Sequence, residues 1–201
     1  TVALEIPKYD SKNPDRLEYI SRKTLPLFQI VVYNDFSKKT QKTHYMCGGN
    51  IRDHTNSPLE ENWQKFKDAY EKIKQKTMDW HEPIYSGKWG VFGFIFMGQK
   101  MNEAECPEIH EILDKIPNVT TAGFSVLGPK SFILPHTGYT DTVLRCHMGI
   151  ICPEGASITV GGEKYIWKEG EAMVFDDTLQ HSASNEAGTE RVVFLLDFKK
   201  A

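Results

Sequence analysis

The chain has 201 residues, enough for one large domain with a sizeable core, and its 40% hydrophobic and 25% charged residues are the proportions of a folded globular protein. A net charge of -3 gives none of the basic field that nucleic-acid binding needs. The longest apolar stretch, "WGVFGFIFMG" at 89–98, is too short to span a bilayer as a helix, and no secretory leader is visible, so a cytoplasmic protein with no membrane or nucleic-acid partner is expected.

Residues 1–55 are rich in Lys, Asp, Asn, Ser and Thr and read as an extended arm with one or two strands, such as "LFQIVVY" at 27–33. A helix follows in "NSPLEENWQKFKDAYEKIKQKTMDW", with Ser57 as cap, Pro58 at the first helical position and Glu60 and Glu61 at the positive end. Leu59, Trp63, Phe66, Tyr70 and Ile73 recur at helical spacing and define its buried face. A second helix is predicted over Pro107–Ile116, burying Ile109, Ile112, Leu113 and Ile116, and Pro117-Asn118 ends it. From Thr120 the pattern changes to short alternating segments broken by Gly and Pro, which is the pattern of a β-sandwich or barrel. Cys47, Cys106, Cys146 and Cys152 are scattered without a CxxC pair and read as small buried side chains in a reducing compartment.

Within this β region "ILPHTGYTDTVLRCHMGI" (133–150) carries His136, Arg145 and His147, where a core strand would bury valines. "VFDDTLQHSASNEAGTERVVFLLDF" (174–198) supplies His181 at the start of one strand and Arg191 at the start of the last. In an antiparallel sandwich His136 and His181 can sit on neighbouring strands, and two neutral imidazoles aimed at one point suit a first-row transition metal. Arginines among apolar neighbours need an anionic partner, and the guanidinium fork grips a carboxylate. A metal together with a carboxylate-bearing ligand is therefore expected. His44, His54, His81 and His110 read as ordinary histidines.

"HTGYTDTVLRCHMGI", "GGEKYIWKEGEAMVFDDTLQHSASNE" and the trailing Arg191 resemble the catalytic domain of the aspartyl/asparaginyl β-hydroxylase family. Its members are iron(II)- and 2-oxoglutarate-dependent oxygenases with a double-stranded β-helix (jelly-roll, cupin-like) fold. The resemblance is dense from Phe124 to Phe198, weaker from Trp89 to Asn118 and absent before Trp89. It implies one oxygenase domain over 1–201: an N-terminal arm and flanking helices over 1–118, and a jelly-roll core carrying the metal site over 119–201. It further implies that His136 and His181 bind Fe(II), that Arg145 and His147 hold the oxalyl end of 2-oxoglutarate, and that Arg191 and Ser125 hold its distal carboxylate. With O2, the cosubstrate would be converted to succinate and CO2 as a substrate carbon is hydroxylated.

Two departures bear on the chemistry. The wider superfamily places Asp or Glu two residues after the first histidine. Here Gly138 stands there, as in family members with the same "HTG", where water takes the position, and as in iron halogenases, where chloride does. Asp176 and Asp177 read as a turn pair beside His181 rather than as replacement ligands. The basic residues with which protein-hydroxylating relatives hold an acidic side chain are replaced by Gly123 and Val143. A small amino-acid-like substrate, free, carrier-bound or peptide-bound, is therefore expected. The rivals are a halogenase and a non-catalytic cupin-like module that binds a metabolite.

Overall fold

The computed structural model describes residues 58–200 and, ahead of them, the backbone of two short strands, β1 (Leu17–Glu18) and β2 (Tyr33–Asn34), which pair antiparallel. Ser57, His44, His54 and Cys47 lie outside the described residues. Pro58 opens a single turn, α1 (Pro58–Glu61), but the helix does not run on. Asn62 departs from helical geometry (φ -108°, ψ 14°), its side-chain amide donates to the Pro58 carbonyl at 2.9 Å, and α2 (Trp63–Ile73) starts afresh. Leu59, Phe66, Tyr70 and Ile73 are buried as their spacing requires.

The chain then alternates between two sheets: β3 (Met78–Asp79), β4 (Tyr85–Ser86), β5 (Trp89–Phe96), β6 (Gln99–Lys100), α3 (Pro107–Leu113), β7 (Val119–Leu127), β8 (Ser131–His136), β9 (Val143–Ile151), β10 (Ala156–Val160), β11 (Glu163–Tyr165), β12 (Ala172–Phe175), β13 (His181–Asn185) and β14 (Arg191–Lys199). The larger sheet has the order β12-β9-β14-β7-β5-β3 with β6 beside β5, and the smaller has the order β11-β10-β13-β8-β4. Facing antiparallel sheets in this arrangement form a jelly roll, mostly β with few helices, as expected. Its start differs from the expectation of residue 119, because β3 to β6 already belong to the sheets. The run Trp89–Phe96 hides its strand character because side chains on both of its faces are buried, which removes the polar alternation.

Strand β14 shows how the layers are built. Val192, Phe194, Leu196 and Phe198 join the core that includes Phe66, Tyr70, Ile109 and Leu113 from the helices, while the alternate residues Arg191, Val193 and Asp197 face the smaller sheet. Phe194 is fully buried, its ring 4.4 Å from Phe66 and 5.2 Å from Phe124. Cys106 and Cys146 lie in this core as free thiols, and Cys152 is half-buried. Phe194→Ala should destabilise the protein by about 3–5 kcal/mol, read as a lower urea midpoint at unchanged slope.

Candidate active site

The polar residues of the sequence motif converge between the sheets because of one irregularity. Ile133 pairs with Ala183 and His136 with His181, so three steps along β8 match two along β13. The extra residue at Leu134–Pro135 is a bulge, where proline's missing N–H breaks no ladder bond. Without it, alternation from the inward Ile133 would turn His136 to the outer face. With it, the rings of His136 and His181 lie 4.2 Å apart between centroids. Each Nδ1 is 2.8 Å from a carbonyl two residues earlier, that of Leu134 or Leu179. A carbonyl oxygen only accepts, so Nδ1 carries the proton and each Nε2 presents its lone pair. Burial lowers the His181 pKa to about 4, which keeps the ring neutral near pH 7.

Asp177, 3% exposed, comes next to this pair, with Oδ1 3.4 Å from His181 Nε2 and 2.7 Å from an Arg145 guanidinium nitrogen. Gly138 donates its backbone N–H to the Asp177 carbonyl at 2.7 Å, and a Cβ at position 138 would fall 1.8 Å from Asp177 Oδ2. Glycine is required here by the approach of a carboxylate, not by a positive φ, which Gly138 does not have. Asp176 has a different fate: Thr178 caps it through backbone and hydroxyl donors, and Lys200 pairs with it at 2.7 Å.

The two arginines contrast. Arg145 donates in a fork to both oxygens of Asp197, each at 2.8 Å, and also faces Asp177, so its charge is matched by two carboxylates. Arg191 is 1% exposed and has no ion-pair partner among the described residues. It donates to the Ser125 carbonyl at 3.1 Å and lies 4.8 Å above the Trp167 ring, while its Nε has no partner among the described residues. Burial brings its pKa down to about 10, so it remains a cation near pH 7. The Ser125 hydroxyl accepts from Trp89 Nε1 at 3.0 Å. His147 is 8% exposed with both ring nitrogens unpartnered among the described residues, and burial, reinforced by Arg145 and Arg191, pushes its pKa well below 6.5.

His136, His181, Arg145, His147, Arg191 and Ser125 line one cavity together with Trp89, Ile133, Ile158, Trp167 and Leu195. The sequence reading missed Asp197, Trp89 and Trp167. Asp197 left a signal: an acid in the apolar run of β14, on the same face as Arg191. Of the remaining described histidines, His110 is buried with Nε2 3.0 Å from the Met101 carbonyl, and His81 is exposed.

The family model described as Aspartyl/Asparaginyl beta-hydroxylase matches residues 50–201. The chain belongs to this family. The match begins ahead of Trp89, where the sequence resemblance fades, and takes in α1 and α2, whose generic apolar spacing carries no recognisable chemistry. Among curated family relatives, mouse aspartate beta-hydroxylase domain-containing protein 2 is 36% identical over 123 residues, covering 56% of this chain and 36% of the relative. The Rhizobium tropici ornithine lipid ester-linked acyl 2-hydroxylase is 37% identical over 118 residues, covering 56% and 42%. Human aspartyl/asparaginyl beta-hydroxylase is 31% identical over 153 residues, covering 69% and 20%. The chain thus matches less than half the length of these relatives. Two solved structures share the fold at 13% identity and a TM-score of 0.50: a Pseudomonas putida prolyl-4-hydroxylase, covering 71% of this chain and 88% of that one, and a Burkholderia pseudomallei oxidoreductase of the 2OG-Fe(II) oxygenase family, covering 61% and 72%.

Two variants test the pairing of Gly138 with Asp177. Gly138→Ala should be destabilising in the native background and much less so beside Asp177→Ala. A double-mutant cycle by urea unfolding should show a coupling of at least about 1 kcal/mol; additive effects would mean that Asp177 does not set the glycine requirement.

Proposed function

We propose that this chain is an Fe(II)- and 2-oxoglutarate-dependent hydroxylase acting on a carbon of an amino-acid-like substrate. The observation that carries the reading is the polarity of one cavity, lined by two imidazoles whose Nδ1 atoms are each held by a backbone carbonyl and by a buried guanidinium that lacks an acid among the described residues. Among the described residues no group of three His, Cys, Asp or Glu side chains is placed to hold a metal, so iron would have His136 and His181 as its protein ligands. Neutral imidazoles suit a first-row metal, and two of them leave positions for a bidentate 2-oxo acid, O2 and water. When bound, iron with 2-oxoglutarate and O2 supplies the oxidising power that replaces C–H by C–OH, with succinate and CO2 as coproducts.

This chain's own residues do the rest. Arg191 and Ser125 would bind the distal carboxylate, which compensates a charge that the fold leaves unmatched. The neutral His147 would donate toward the oxalyl end. Arg145 would act there with a charge already balanced by Asp177 and Asp197, orienting more than attracting. Asp177 borders the place beside Gly138, so a halide there would meet a carboxylate, which favours hydroxylation over halogenation.

Substrate recognition follows from what the cavity lacks. Gly123 pairs with Gly93 and Leu195, and Val143 is 7% exposed, so neither position offers a cation for an acidic side chain. A second reading has its own observation: Leu134 and Leu179, two residues ahead of the histidines, are 50% and 49% exposed, and Tyr139 is 84% exposed. Such a rim suits an acyl chain, and the Rhizobium relative is named for acting on the acyl chain of a lipid.

Incubation with Fe(II), 2-oxoglutarate and O2 should release succinate. His136→Ala and His181→Ala should lose iron binding and succinate release together, and wild-type turnover of His181→Ala at limiting iron would refute the site. A mass-spectrometric screen of amino acids, peptides and acylated amino-acid lipids should find a product heavier by one oxygen. A chlorinated product in chloride buffer would overturn the hydroxylase reading.

A further inference from the structure

The segment leading from β11 into β12 reaches the cavity through an unusually close approach. A Cβ at Gly149 would fall 2.2 Å from the Lys168 carbonyl oxygen, so only glycine lets this segment lie against β9. The Gly149 carbonyl accepts from the Gly170 N–H at 2.9 Å and from Trp63 Nε1 of α2 at 2.9 Å, and the Gly149 N–H donates to the Glu171 carbonyl at 3.1 Å. Two backbone hydrogen bonds, from Gly170 and to Glu171, therefore fix the segment that carries Trp167 against β9, and the Trp63 bond ties the same carbonyl of β9 to α2.

Trp167 is 3% exposed, lines the cavity, and stacks 4.8 Å beneath the Arg191 guanidinium and 6.0 Å from the His147 ring. Its Nε1 is buried without a hydrogen-bond partner among the described residues, like the Nε of Arg191. An indole N–H left unpaired in an interior is unfavourable, and buried tryptophans normally find an acceptor. The charged group against the indole is the Arg191 guanidinium, which only donates, so an anion bound to it would also offer the indole N–H an acceptor. We infer that Trp167 is a cosubstrate-binding residue whose Nε1–H donates to the distal carboxylate of 2-oxoglutarate beside Arg191. This rests on the function proposed above. A carboxylate has lone pairs enough for the Arg191 fork and the indole together. The ring also forms an apolar floor that holds the guanidinium planar to its ligand.

The test uses 15N-labelled protein loaded with Zn(II), which binds without turnover. Trp167→Phe keeps an aromatic ring beneath Arg191 and removes the N–H with part of the ring, and its spectrum identifies the Trp167 indole resonance by its loss. Titration with 2-oxoglutarate should move that resonance. Trp167→Phe should bind the cosubstrate at least about tenfold more weakly, as for losing a hydrogen bond to a charged acceptor. Trp167→His, which restores an N–H, should recover part of the affinity. An unmoved indole resonance, or wild-type affinity in Trp167→Phe, would leave Trp167 as a wall and overturn the inference alone. A wild-type protein that binds no 2-oxoglutarate would overturn both this inference and the function on which it rests.

Discussion

A guanidinium buried to 1% exposure, with no acid against it among the described residues, is the constraint around which this molecule is arranged. Moving a charge out of water is severely unfavourable unless it is compensated. Arg191 begins the central strand β14, flanked by β9 and β7, where it cannot escape to solvent. The fold gives it a backbone carbonyl, a serine and an aromatic face, which lessen the penalty without neutralising the charge. Arg145 is the internal control. It lies on the same face of the same sheet, yet two aspartates meet it. One arginine is thus matched within the fold, and the other has no acid against it among the described residues.

The remaining geometry serves the opposite end of the cavity. A single extra residue in β8 decides whether His136 faces the site or the solvent, and the carbonyls of Leu134 and Leu179 decide which nitrogen of each imidazole is free. Asp177 is locked between Arg145 and the backbone of Gly138, and its carboxylate lies where a side chain at 138 would be. The glycine of the "HTG" motif is therefore the imprint of another residue. This links the loop after β8 to the turn before β13, so the histidine pair is braced at both of its strand ends.

Much of this was legible in the sequence because it depends on residue type and period. Histidines and arginines within alternating apolar segments marked the cavity, and the breaks at Gly and Pro marked the sandwich. What stayed hidden depends on partners distant in the chain. The bulge exists only in the register of β8 with β13. The Arg145–Asp197 fork joins residues 52 apart, so the acid that matches Arg145 could not be read from its neighbours in the chain. The early strands were missed because β5, buried on both faces, shows no polar alternation. The break at Asn62 turns on one side-chain amide, which competes with helix propensity over a single turn.

If Arg191 is kept for its ligand and not for the fold, its replacement by an apolar side chain of similar length should separate stability from binding. Thermal unfolding of Arg191→Met with and without 2-oxoglutarate, in the presence of Zn(II), measures both at once. The account predicts that ligand-free Arg191→Met is at least as stable as the wild type, because an unmatched buried charge has been removed. It also predicts that 2-oxoglutarate at a concentration about 100 times the wild-type dissociation constant stabilises the wild type by about 2.7 kcal/mol and the variant far less. An Arg191→Met protein that is markedly destabilised without ligand, yet stabilised by 2-oxoglutarate as the wild type is, would contradict it.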